Sequence, residues 1–216
     1  MANATTGGAG LALVSDLHEC VLGGRSYRFR TPDVYDPSRA RRLLTRQRVR
    51  RPALLEFRLV GVAGVLALAE AVGDRAEGAR QRAVIEEWYD LLEPLDEDKL
   101  DEPDYVERGA ELARLEADRL ARQAELQPQA MMIEANLERH WQPYAELLAD
   151  RRFWDDISAI EIVRLLLVSI DGAALRRDDD GLVMQEAYKA IPPDHRTDLA
   201  TFAFRLLAPD ETQRKN

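Results

Sequence analysis

The side chains of this 216-residue chain that could attack a substrate or ligate a metal are few: three histidines (His18, His140, His195), one cysteine (Cys20) and the run Asp178-Asp179-Asp180-Gly181. Where the zincin pattern H-E-x-x-H needs its second histidine after His18-Glu19, the chain has Leu22. The Glu-x-x-His pairing of di-iron bundles fails at His140, because Leu137 stands where the glutamate belongs. All three histidines read as surface or boundary residues. An EF-hand loop aligned on Gly181 would start at Arg176 and end at Ala187, where carboxylates are required, so the acidic turn reads instead as a helix N-cap. Cys20 falls at an alternating position of a hairpin and reads as a small buried side chain rather than a nucleophile. Neither G-x-x-x-x-G-K-[ST] nor G-x-G-x-x-G occurs, so no glycine loop cradles a phosphate. The expectation is a non-enzymatic protein with no catalytic residue, no metal site and no cofactor.

What the chain does concentrate is arginine. Between Arg25 and Arg58 there are eleven arginines against Asp33, Asp36 and Glu56, a basic segment inside a chain of net charge −9. Arg39, Arg42 and Arg46 follow one another at helical spacings of three and four, and Arg50 continues the series. Such a stripe suits nucleic-acid phosphates, a solvated face or a protein contact. Against nucleic acid stand the acidic balance of the whole chain, the lack of aromatic residues among the basic ones, and the absence of a helix-turn-helix spacing. The charge asymmetry favours self-association, basic end to acidic body, or a charged partner.

The elements that must carry these residues are mostly helices. With 46% hydrophobic, 32% charged and 6% aromatic residues, the composition is that of a globular, mainly α protein, a helical bundle with a small N-terminal β-hairpin. Glu19–Leu22 and Arg25–Arg30 alternate around Gly23-Gly24, which marks a two-residue turn. Tyr27 and Phe29 on that hairpin are expected to pack on helices or on another subunit, and so join the partner-binding candidates. Asp36-Pro37 starts a helix to about Arg51, and Pro52 starts the next, Ala53 to Val72, ended by Gly73. In that second helix Gly61 and Gly64, with Ala63, Ala67 and Ala69, predict a close helix pair. A third helix spans about Ala76–Leu92.

Residues 93–103 read as an acidic, proline-bracketed linker. The expected helix about Asp104–Leu126 carries Leu112, Leu115, Leu120 and Leu126 on one side and breaks at Pro128. Another begins there, kinked or split near Trp141 by Pro143. Ser158-Ala159-Ile160-Glu161 matches a capping box that opens an apolar helix through Ile170, ended by Gly172. A short helix through Tyr188 and a last one after Pro192-Pro193 follow, the last with Leu199, Phe202 and Leu206 at helical spacing. The domain reading is 1–92, linker 93–103, 104–209 and a flexible tail 210–216. The longest apolar run, Leu59–Ala69, is shorter than the roughly 20 residues that span a bilayer. No basic n-region precedes Leu11–Val14 and the lone cysteine suits a reducing compartment, so the expected location is the cytoplasm, with no membrane partner.

Two stretches carry a family resemblance. Gly24-Arg25-Ser26-Tyr27-Arg28-Phe29-Arg30, Thr31-Pro32 and the basic helix Arg39–Arg51 form one; Pro192–Leu207 with a polar tail ending in Lys215-Asn216 forms the other. Together, over about a third of the chain, they resemble the tail assembly chaperones of tailed bacteriophages and gene-transfer particles. The resemblance implies a non-enzymatic protein of the bacterial host cytoplasm that coats the tape measure protein, recruits tail tube subunits and is released. It also implies that Lys215 and Asn216 lie at a point where a ribosomal frameshift can extend the chain. The alternatives are a minor structural tail or connector protein of the virion, and a helical DNA-binding regulator using the arginine helix.

Overall fold

The computed structural model describes residues 17–95 and 105–207, the side chains of 105–107 excepted. In chain order the elements are β1 (Leu17–Leu22), β2 (Arg25–Arg30), α1 (Asp36–Arg46), α2 (Leu54–Val72), α3 (Arg75–Leu92), α4 (Tyr105–His140), α5 (Gln142–Leu166), β3 (Leu167–Ile170), β4 (Ala173–Ala174), α6 (Gln185–Lys189) and α7 (Pro193–Leu207). The fold is mainly α with a small antiparallel sheet. It divides into two compact units, one made of the chain up to Val49 together with the part from Trp154 onward, the other of Arg50–Phe153. The units therefore do not follow the sequence order of a 1–92 and a 104–209 domain. The expected linker falls largely, and the tail 210–216 wholly, outside the described residues.

In the first unit the sheet runs β1-β2-β3-β4. Gly23 and Gly24 have φ of 54° and 79°, the paired positive angles that match a two-residue turn to the twist of the strands. A lone hairpin is marginal in water, and β2 gains its second partner from far along the chain, with Tyr27 opposite Ile170 and Phe29 opposite Leu167. Asp171-Gly172, at φ of 51° and 79°, turns β3 into β4. Asp171 also ties the two hairpins together, accepting from Arg25 Nε and Ser26 N, both at 2.9 Å. The core joins Tyr27 and Phe29 to Val163, Leu166 and Leu167, to Leu182 and Val183, and to Leu199 and Ala203 of α7.

The expected helix through Ile170 is thus corrected. It stops at Leu166, and the remaining apolar run becomes a strand. A short continuous apolar run does not tell helix from strand by periodicity, and here the open edge of β2 and the β-branched Val168 and Ile170 decide. Nor does Ser158 cap a helix start. It lies inside α5, buried, with its hydroxyl donating to Asp155 O at 2.9 Å, while Glu161 holds Arg164. The acidic run is not an N-cap either. Asp178 accepts from the N–H groups of Asp180 and Leu182 and closes a bridged loop, Arg177 to Val183, and Met184 precedes α6.

Helix α1 ends at Arg46, short of the expected Arg51, in a left-handed cap. Arg48 takes φ of 57° and donates to Thr45 O, and Val49 N–H reaches back to Leu44 O at 3.1 Å. Burial of the Val49 side chain completes the Schellman arrangement.

The second unit packs α2, α3, α4 and the first part of α5 around Phe57, Val65, Ile85, Tyr89, Ile133, Leu137 and Tyr144. Glu56 accepts from Ala53 N at the start of α2, and Asp74 caps α3 by accepting from Glu77 N. The close helix pair read from the glycines is present: Gly61, Gly64 and Gly78 are buried against neighbouring helices. Pro128 does not break α4, which runs through it. An internal proline costs a helix about 3 kcal/mol, but Leu126, Ala130, Ile133 and Leu137 form an unbroken buried stripe across it, each large side chain contributing roughly 1.5–3 kcal/mol. Leu120 is 64% exposed, because five residues from Leu115 is the wrong spacing for a shared face. The split at Trp141 is as read, with α5 starting at Gln142-Pro143.

Candidate protein-contact surface

The surface that gathers the sequence candidates is the outer side of α1. Asp36, Ala40 and Leu44 recur at helical spacing and are buried, which turns the arginines of the other positions outward. Arg39, Arg42 and Arg46 then line one shallow groove of about 170 Å³ with Leu43, Leu165 and Asp180. Its floor is aliphatic and its rim is basic. Arg46 Nη1 pairs with Asp180 Oδ1 at 2.8 Å, and Arg39 Nη1 pairs with Asp33 Oδ2 at 3.0 Å and Asp36 Oδ1 at 3.3 Å. Arg42 makes no ion pair with a described residue. The Arg46–Asp180 and Arg39–Asp33 pairs lie half in water, where an ion pair contributes roughly 0–1 kcal/mol and exchanges readily for another.

The base of α1 is held more firmly. Asp36 is fully buried and takes a two-pronged bond from Arg30, at 2.6 and 2.7 Å, and another from the Asp33 N–H. Burial by itself would raise its pKa, but the Arg30 and backbone bonds outweigh it and hold the carboxyl below its ordinary value. The bond to Asp36 raises the Arg30 guanidinium in turn. With Asp36 fixed as an anion in the first turn, the helix dipole of α1 is complemented and its arginines are oriented.

The other candidates lie elsewhere. Tyr27 and Phe29 have no exposed surface and are core residues rather than contact residues: Tyr27 Oη bonds His195 Nδ1 at 2.8 Å, and the Phe29 ring packs 5.2 Å from that of Phe202. Arg50 belongs to the other unit, where it pairs with Glu56. Lys215 and Asn216 lie outside the described residues. Cys20 is half-buried, and burial, with Asp198 nearby, pushes its thiol above the usual value, away from the thiolate that a nucleophile needs. His18 bonds Thr31 Oγ1 at 3.0 Å, and His140 is exposed. Among the described residues no group of three or more His, Cys, Asp or Glu could hold a metal ion, and no helix is long and apolar enough to cross a membrane.

Sequence reasoning missed Leu165 and Asp180, which complete the groove from more than a hundred residues away. The only signal in the sequence was the charge sign of the Asp178–Asp180 run. It also missed a buried polar cluster in the second unit. Tyr89 Oη donates to Glu134 Oε1 at 2.7 Å and lies 2.9 Å from Tyr144 Oη, and burial raises both phenols far above their usual value. These bonds satisfy groups that the helix packing encloses, a structural role. Comparison of the chain with protein-family models, with curated proteins and with solved structures finds no match.

Proposed function

We propose that this protein is a non-enzymatic assembly chaperone that holds an acidic, partly apolar helical segment of its client in the α1 groove. The resemblance of residues 24–32, 39–51, 192–207 and 211–216 implies the tape measure protein of a phage-type tail as the client, with tail tube protein the next component recruited. The observation that supports this reading best is the convergence of Arg39, Arg42 and Arg46 on one aliphatic-floored groove. Such a rim attracts and orients an acidic segment, while half-buried Leu43, packed over the buried Leu165, offers its apolar side chains a contact out of water. Because the arginines are exposed, they supply capture rate and specificity more than lasting affinity, which suits a client that is later handed on.

The test is co-purification of the full chain with a cognate tape measure protein. Arg42→Glu, which disturbs no ion pair with a described residue, should reduce the captured fraction about tenfold or more, and raising the salt from about 50 to 500 mM should do the same to the wild type. Equal capture by Arg42→Glu, or a tight sequence-specific DNA complex formed by the wild type instead, would refute the proposal.

A further inference from the structure

Helix α2 is apolar on two faces and spends only one. Phe57, Gly61, Gly64 and Val65 are buried, whereas Leu55, Leu59 and Leu66 are 52%, 62% and 40% exposed. With half-buried Val62 between them, they form a stripe at steps of four, three and four along the outside of the helix, and Ala63 beside it is exposed and small. The two ends of the stripe carry opposite charge. Arg50 and Arg51 precede the helix, and Glu70 and Asp74 stand at its far end.

We propose that a second copy of this chain docks on this face, with the two α2 helices antiparallel about a two-fold axis between Val62 and Ala63. In that register Leu59 of each copy meets Leu66 of the other, Leu55 lies on the stem of Glu70, and the basic start of each helix comes to the acidic end of the other. A parallel pairing would set arginine on arginine and acid on acid. An isologous contact of this kind closes on itself, so it yields a dimer rather than a filament. Ala63 at the axis lets the helices approach to the short end of the usual 8–10 Å range. The ion pair already present at the far end, Glu70 with Arg75, is 72% and 84% exposed, so exchange with a partner's arginine loses little. The α1 groove is on a different helix, so this contact and client capture fail independently.

The experiment is sedimentation equilibrium of the full chain between about 1 and 100 µM, where the wild type should pass from monomer to dimer. Leu59→Glu should weaken the dimer about a hundredfold while the circular-dichroism melt is retained, since Leu59 is exposed. The register is read by cysteine pairs in a Cys20→Ser background. Ala63→Cys should cross-link to itself, and Leu55→Cys should cross-link to Glu70→Cys but not to itself, because a disulfide needs Cα atoms within about 7 Å. A wild type that stays monomeric at the highest concentration overturns the proposal, as does a dimer indifferent to Leu59→Glu. So does self-cross-linking of Leu55→Cys. A monomer that instead binds an amphipathic peptide on this face would assign the stripe to a client and also overturn it.

Discussion

Replacing Gly64 by alanine tests whether the second unit depends on the close approach of its helices. In an unconstrained helix interior the exchange stabilises by about 0.5–1 kcal/mol, because glycine loses more backbone freedom on folding. At Gly64 the new Cβ would lie 2.6 Å from Trp141 Cδ1 and 2.7 Å from Leu137 Cδ2, where carbon atoms sit most favourably at about 3.5–4.0 Å. Relief requires about 1 Å of movement in two well-packed side chains. Leu137 is 1% exposed, and Trp141 occupies the one-residue break between α4 and α5 with its indole Nε1 buried. Overpacking of this kind costs about 1–3 kcal/mol, which exceeds the propensity gain and leaves the variant destabilised by about 1–2 kcal/mol.

The same substitution elsewhere supplies the controls. At Gly109 in α4 a new Cβ would meet no atom within 4 Å, so Gly109→Ala should stabilise by the propensity term alone. At Gly61 the nearest atom is Ile85 Cγ2 at 3.4 Å, an ordinary contact, so Gly61→Ala should fall between the two. At about 2–4 °C per kcal/mol for a chain of this size, Gly64→Ala should lower the melting temperature by a few degrees and Gly109→Ala should raise it. Calorimetry and urea unfolding followed by tryptophan fluorescence measure both. If Gly64→Ala matches Gly109→Ala in sign and size, the packing of α2 on Leu137 and Trp141 does not contribute what the geometry says.

Two further substitutions probe the elements around α1. Asp36→Ala leaves Arg30 without its buried partner and should cost about 3 kcal/mol at pH 7. Because the folded pKa of Asp36 is depressed, that contribution is complete above the ordinary carboxylate value near 4 and is lost as the pH falls through the lower folded value, so wild type and variant should converge in acid unfolding. Arg48→Gly should stabilise by about 1 kcal/mol in urea unfolding, because Arg48 holds the left-handed angle of the α1 cap at a cost glycine does not bear; a loss instead would mean that its side chain matters more than its backbone.

The helices that sequence located well, α2, α3 and α7, share a clear start, a proline or aspartate at or before the first turn, and α2 also has a glycine after its last. Where it failed, a local signal competed with a distant one. Pro128 is a strong local breaker, but the stripe Leu126, Ala130, Ile133, Leu137 binds the helix on both sides of it, and only the packed structure sets that burial against the lost hydrogen bond. Ser158-x-x-Glu161 satisfies the capping pattern, yet the helix already begins at Gln142, and the serine bonds a carbonyl within it. The Asp171-Gly172 pair is a hairpin signal in its own right, which the apolar run before it disguises as a helix end. The α1 arginines were legible as a face. Their counter-charges Asp33 and Asp36 were near in sequence, but Asp180 was not.

That last distance bears on what the first unit needs in order to function. Polar ties between its chain ends include Arg46 to Asp180 beside the groove, Arg25 with Ser26 to Asp171 at the sheet, Tyr27 to His195 and Gln47 to Glu161. The groove floor combines Leu43 from one end with Leu165 from the other, and β2 lacks one ladder partner until β3 is in place. A fragment ending after α3 would keep every arginine of the basic stripe but expose Tyr27 and Phe29, lose half the groove floor and leave the inner edge of β2 open to other strands. Its basic charge would then bind acidic partners without discrimination. On the proposed reading, selectivity for one client would therefore reside in the pairing of the chain's two ends, and not in the arginine stripe alone.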